Sequence, residues 1–152
     1  MKAVIQRVGY ASVDVDSKTV GKIGNGLLVL LGVHHTDDEK CAELLASKVA
    51  KLRIFCDESE KMNLSVTDVS GEILCISNFT LCANTKKGNR PSFIEAMEPK
   101  KADELYNLFC NCLLQNGVKN VEKGIFGADM KVGLLNDGPI TIVLDTDVWN
   151  KK

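Results

Sequence analysis

The sequence predicts a single-domain α+β protein, in which a mainly antiparallel, curled or barrel-like β-sheet carries two principal helices. Three observations lead there. Short runs rich in Val, Ile and Leu, bounded by Gly, Asn or Asp, recur along the chain and read as strands. Only two segments carry helical periodicity, and several links between strands are too short for parallel crossovers. The chain of 152 residues fits one domain over 1–152, long enough to bury roughly 70% of its unfolded surface without disulfides or metals.

Met1–Val8, Ala11–Val15 and Gly26–Val33 open the chain as strands. The first helix begins at Thr36-Asp37-Asp38-Glu39, a capping-box pattern in which the Thr oxygen and the Glu carboxylate satisfy free amides, and runs to about Leu52. Leu52–Cys56 and Glu72–Leu81 read as further strands. The second helix starts at Pro99, where a missing N–H costs nothing, and ends by Gly117. Met130–Leu135 and Ile140–Asp145 are the last strands. Between them stands Asn136-Asp137-Gly138-Pro139, which on its own reads as a turn. A plain Asp-Gly hairpin would not need the proline, which removes a donor from whichever strand it enters.

Composition narrows the function classes. Hydrophobic residues make up 45% and charged residues 26%, with only 3 prolines, which excludes extended disorder. "MKAVIQRV" has no apolar core for a signal peptide, and no stretch approaches the roughly 20 apolar residues of a membrane span, so a cytoplasmic protein without a membrane partner is expected. A net charge of −1 excludes a strongly basic protein while leaving room for a local basic patch. The 6 cysteines form no C-x-x-C pair and only 2 histidines accompany them, so neither a metal site nor a cofactor is expected. Cys41 shares a helical face with Leu44, Leu45, Val49 and Leu52, and Cys112 falls in step with Leu105, Leu108, Phe109 and Leu113; these read as reduced core thiols. Nothing matches G-x-S-x-G, G-x-x-x-x-G-K or H-E-x-x-H, and a conventional hydrolase is hard to assemble.

Chemistry is expected where polar residues interrupt a buried strand. After Ile73-Leu74-Cys75-Ile76 come Ser77, Asn78 and Thr80 around Phe79, and strand alternation would put Ser77 and Phe79 on one face and Asn78 and Thr80 on the other. Either these residues act on a ligand or they are hydrogen-bonded structure. The loop Ala83–Ser92 carries Lys86, Lys87 and Arg90 with no acidic residue, ahead of Phe93. Such a loop either holds phosphates while the aromatic stacks on a base, or is a solvated turn. Alternation puts Arg7 with Ala3 and Ile5; on a buried face it needs a partner.

Taken together and in order, "IQRV", "GLLVLLGV", "KMNLSV", "SNFTL", "KKGNRPSF", "FGADMKV" and "NDGPIT" resemble the D-aminoacyl-tRNA deacylase family over nearly the whole chain. The resemblance implies a homodimeric cytoplasmic enzyme that hydrolyses the ester of D-aminoacyl-tRNA, and of glycine mischarged on tRNA. It implies that the main-chain N–H groups of Phe79 and Thr80 stabilise the oxyanion, beside Ser77 and Asn78, with water as nucleophile. It also implies that Gly138-Pro139 is a cis peptide inserted into the partner subunit's pocket, that Met130 lines that pocket, and that Arg7 braces the peptide across the interface. One position departs from the family's usual Ser-Gln-Phe-Thr: Asn78 is one methylene shorter. Two alternatives stay open, a Thr80 hydroxyl nucleophile and a catalytically silent dimeric RNA-binding protein of the same fold.

Overall fold

Strand β1 (Lys2–Val15) is the spine of the sheet in this computed structural model, which describes residues 1–150. Where two strands were expected there is one, because the chain turns over without breaking. Ala3 and Ile5 belong to the core under the helices, whereas Ala11 and Val13, at positions of the same parity, belong to a second core inside the curl. The register shift between Val8 and Tyr10, where two steps along β1 meet one along β8, makes the change. Bulges of this kind reverse the face on which alternate residues lie and add twist.

Asp16 and Ser17 both take positive φ, as a two-residue hairpin turn requires, and lead into β2 (Lys18–Ile23). Strand β3 (Gly26–Gly32) continues β2, so the two together pair antiparallel with nearly the whole of β1. The sequence reading missed β2, whose "KTVGKI" is half polar and interrupted by Gly21. That glycine serves the curl: a Cβ there would lie 2.9 Å from the Lys123 carbonyl oxygen, on the strand that approaches to nearly close the barrel.

Helix α1 (Glu39–Lys51) corrects the capping expectation, because its N-cap is Asp38, whose carboxylate accepts from the Cys41 N–H. Thr36 instead meets the His34 ring, Asp37 binds the Met1 ammonium at 2.5 Å, and Glu39 pairs with Lys101. The Leu52–Cys56 strand shrinks to β4 (Phe55–Cys56), paired with β5 (Met62–Leu64) in a small separate sheet. Strand β6 (Glu72–Ser77) lies parallel to β3, and β7 (Val121–Lys123) lies parallel to β6. Parallel neighbours need long crossovers, and α1 and α2 (Pro99–Gln115) lie within them. The other pairings are antiparallel. Both helices cover one sheet face, with Leu45, Val49, Leu105, Phe109 and Leu113 buried in a single core. A short helix α3 (Asp147–Asn150) ends the described chain, and none of the described helices is long and apolar enough to cross a membrane.

The last two expected strands are also one, β8 (Lys131–Asp145), paired with β1 along almost its full length. Gln6 opposes Thr141 and Val8 opposes Asn136, leaving Asp137–Ile140 outside the ladder. "NDGP" is therefore not a hairpin turn. The chain leaves the sheet, passes through a cis Gly138-Pro139 peptide, and returns in the same direction. Asn136 Nδ2 straps the excursion by donating to the carbonyls of Arg7 at 3.0 Å and Ile140 at 2.9 Å. A proline fits here because its missing N–H faces no ladder partner.

Asp38→Ala is expected to destabilise the fold by about 1 kcal/mol in urea unfolding, the usual cost of losing an N-cap. Hydrogen bonds to the Cys41 backbone hold the Asp38 carboxyl below its ordinary 3.8. The carboxylate's contribution is therefore fully present above that ordinary value. It fades as pH falls through the lowered folded-state value, and the gap between wild type and variant should narrow there.

Candidate active site

The site is built where β6 stops being a strand. The Asn78 N–H donates to the Leu31 carbonyl at 2.8 Å, and beyond it the chain tightens into a 3₁₀ turn over Phe79–Cys82. The strand alternation expected through Leu81 is thus overturned at Ser77. Local side-chain chemistry is the reason: Asn78 Oδ1 accepts from the Thr80 N–H at 3.2 Å and also from the Thr80 hydroxyl, so Asn78 caps the turn. Thr80 is held against Asn78 by that cap, not by a shared strand face. Among the described residues the Phe79 N–H has no hydrogen-bond partner.

A cavity of about 950 Å³ lies beside this turn. Leu28, Leu30, Ile76, Met130 and Leu134, which pack together in the core inside the curl, line it, as do Phe93, Met97 and Phe126. Ser77, Asn78 and Phe79 line it, as does Phe93, whose ring meets Phe79 edge-on with centroids 5.1 Å apart. Ser77, Asn78, Phe79, Phe93 and Met130 are thus brought together. Two polar lining residues escaped the sequence reading, Gln6 and Glu98. Glu98 had a readable signal, an acidic residue just before a helix-starting proline; its carboxylate caps α2 through the N–H groups of Lys100 and Lys101. Gln6 had none, because alternation alone cannot reveal that the curl turns this face inward.

Other expected residues lie apart. Lys86, Lys87 and Arg90 are exposed on the loop after the turn, which is closed at its base by the Asn84–Ser92 bridge, and they do not line the cavity. Gly138 and Pro139 are exposed and do not line the cavity of their own chain. Arg7 does lie on the buried side, with a side chain only 12% exposed and partners to match. It donates to the carbonyls of Ile54 at 2.8 Å and Asp137 at 3.2 Å, and its Nε stands 3.4 Å from the Asp137 carboxylate. The excursion is thus braced from within its own chain.

The site offers no thiolate and no histidine base. Burial pushes the Cys75 and Cys82 thiols up, so both stay protonated at neutral pH, and burial likewise raises the Tyr106 phenol, which donates to the Cys75 carbonyl at 2.7 Å. His34 and His35 stack on each other, and neither lines the cavity. Among the described residues, no three His, Cys, Asp or Glu side chains are grouped to hold a metal ion. What remains is a main-chain donor at the edge of an apolar cavity, an arrangement suited to stabilising developing negative charge on an oxygen.

The family model described as D-Tyr-tRNA(Tyr) deacylase matches residues 4–145. The chain is 59% identical over 145 residues to a D-aminoacyl-tRNA deacylase of Lactobacillus acidophilus, covering 95% of this chain and 99% of that protein. It is 55% identical over 152 residues to one of Fusobacterium nucleatum, covering 100% of both. A solved structure of a c-Myc DNA unwinding element binding protein superposes with a TM-score of 0.90 at 44% identity, covering 95% of this chain and 98% of that one. A probable eukaryotic D-amino acid tRNA deacylase superposes with a TM-score of 0.81 at 18% identity, covering 94% and 97%, and so shares the fold. A family match across nearly the whole chain, with full-length relatives well above half identical, places this chain in the D-Tyr-tRNA(Tyr) deacylase family.

Proposed function

We propose that this chain hydrolyses the ester joining a D-amino acid, or glycine, to the terminal adenosine of tRNA, releasing free amino acid and tRNA. Family membership supplies the reaction class. The observation that carries the reading is the Asn78-capped turn, which leaves the Phe79 N–H without a partner among the described residues, at the edge of an apolar cavity.

In this reading the scissile carbonyl lies at the turn and its oxygen accepts from the Phe79 N–H as it becomes an oxyanion. One such donor is typically worth about 3–4 kcal/mol. Water attacks the carbonyl carbon, assisted by the substrate's own ribose 2′-hydroxyl; the bond to the ribose oxygen breaks, and that oxygen takes a proton. The Thr80 N–H joins only by releasing Asn78 Oδ1, to which it is hydrogen-bonded at 3.2 Å. Phe79 and Phe93 flank the terminal base, Met130 packs against the substrate, and Lys86, Lys87 and Arg90 hold phosphates of the acceptor end.

The enzyme works as a homodimer, with Gly138 and Pro139 of each subunit screening the cavity of the other. Support comes from the excursion itself, which is exposed, strapped by Asn136 and Arg7, and absent from its own chain's cavity wall. Main-chain atoms held there leave no room for an L side chain, while a D side chain points to solvent and glycine presents none. Selection is by rejection.

D-Tyr-tRNA and D-Asp-tRNA should both be cleaved by the purified protein while L-Tyr-tRNA survives, read as loss of acid-precipitable labelled amino acid. Equal cleavage of D and L forms would refute the filter, and no cleavage at all would favour the silent RNA-binding alternative.

Thr80→Ala should keep deacylation within about tenfold of wild type, because it retains the backbone amide. Loss of a true nucleophile would leave almost nothing. Mass spectrometry of quenched reactions should find no acyl group on Thr80.

Deleting Gly138 and Pro139 should let L-aminoacyl-tRNA be hydrolysed. In a purified heterodimer pairing that chain with one whose own cavity is filled by Ala128→Trp, the working cavity faces an intact excursion, so normal discrimination is expected. Hydrolysis of L-aminoacyl-tRNA by this heterodimer, or a monomeric wild type in sedimentation, would place the excursion's action within its own chain.

A further inference from the structure

The glycines that bracket β3 both stand where a neighbouring segment comes too close for a side chain, β6 at Gly26 and the 3₁₀ turn that follows it at Gly32. At Gly26 a Cβ would lie 1.8 Å from the Glu72 carbonyl oxygen, opposite the first residue of β6. At Gly32 it would lie 2.8 Å from Leu81 Cβ and 3.2 Å from the Asn78 carbonyl oxygen, both in or beside the 3₁₀ turn. Gly32 does not take a positive φ, so space is what the position demands, not backbone conformation.

Residues on either side of Gly32 hold the same turn. The Leu31 carbonyl accepts the Asn78 N–H at 2.8 Å, and the Val33 carbonyl accepts the Cys82 thiol at 3.4 Å. Leu31-Gly32-Val33 is therefore a seat onto which the turn fits, with its middle residue bare. We propose that Gly32 is a positioning residue for catalysis: its missing side chain lets the Phe79–Cys82 turn sit down on β3, and so sets where the Phe79 N–H meets the scissile carbonyl. The contact is between Cβ atoms next to the main chain, and neither can swing aside as the end of a long side chain could. A Cβ at position 32 must lift the turn or part β3 from β6. Oxyanion stabilisation is sensitive to such movement, since a donor must stand about 2.7–3.1 Å from the oxygen.

This inference rests on the deacylase reading, so the test starts from wild-type turnover of D-Tyr-tRNA and adds a readout that needs no turnover. Gly32→Ala should lower kcat by at least tenfold while KM stays within about twofold, and should move the Phe79 and Thr80 amide resonances in a ¹H–¹⁵N spectrum that otherwise stays dispersed. Gly71→Ala serves as a structural control: it crowds Val66 at 2.9 Å at the opposite end of β6, and should lower Tm but leave kcat within about twofold. Adding Leu81→Gly removes the closest clash, so the double variant should turn over faster than Gly32→Ala alone. An active wild type with undiminished Gly32→Ala turnover, a loss expressed only in KM, or no recovery in the double variant overturns the proposal. An inactive wild type defeats the deacylase reading instead, and unmoved Phe79 and Thr80 resonances in Gly32→Ala would then defeat the seating claim as well.

Discussion

The hydrogen bond from the Asn78 N–H to the Leu31 carbonyl extends the parallel β3–β6 ladder one residue past its last paired residues, Leu31 and Ser77, and the site depends on it. Before it, β6 is buried and regular; after it, the Asn78 side chain takes over the backbone's pairing and turns the chain aside. The inner sheet face supplies the apolar floor at that point, and the loop carrying Phe93 and Met97 closes over it, with the Met97 N–H accepted by the Val33 carbonyl at 2.9 Å. One strand end thus fixes the turn, the floor and the covering loop relative to one another.

A second constraint acts at the far side of β1. Strand β8 pairs with β1 above and below the Asp137–Ile140 excursion, so the ladder clamps both feet of the protruding loop. Arg7 adds a cation whose side chain is nearly withdrawn from water, satisfied by two carbonyls and flanked by the Asp137 carboxylate. Loops that project from a sheet are usually its most variable parts. This one is held from beneath by polar contacts that leave Gly138 and Pro139 free to face outward.

Much of this was legible in the sequence. Helix α2 was readable from Pro99 onward, since a proline at a helix start and a glycine beyond its end are local signals. The Ser77–Thr80 stretch stood out because polar residues interrupt an apolar strand, Phe93 because an aromatic follows a basic loop, and Met130 entered through the family resemblance. The failures share a cause, which is that pattern reading assumes each element is straight. It split β1 and β8 in two because bulges and an excursion interrupt the alternation without ending the strand. It extended β6 through Phe79 and Thr80 because a side-chain cap leaves no trace in hydrophobic period. It placed the α1 cap at Thr36 when the next two residues are aspartates, one of which is taken by the Met1 ammonium. Gln6 was unreadable as a cavity residue until the curl of the sheet was known.

On the proposed mechanism, in which the working polar group is a backbone amide, the cavity has an unusual relation to mutation. No side chain carries that amide, so stripping side chains one at a time, as an alanine scan does, passes over it. The vulnerable positions are the empty ones. In such a protein the residues that report on the chemistry are found by adding atoms where the sequence has none.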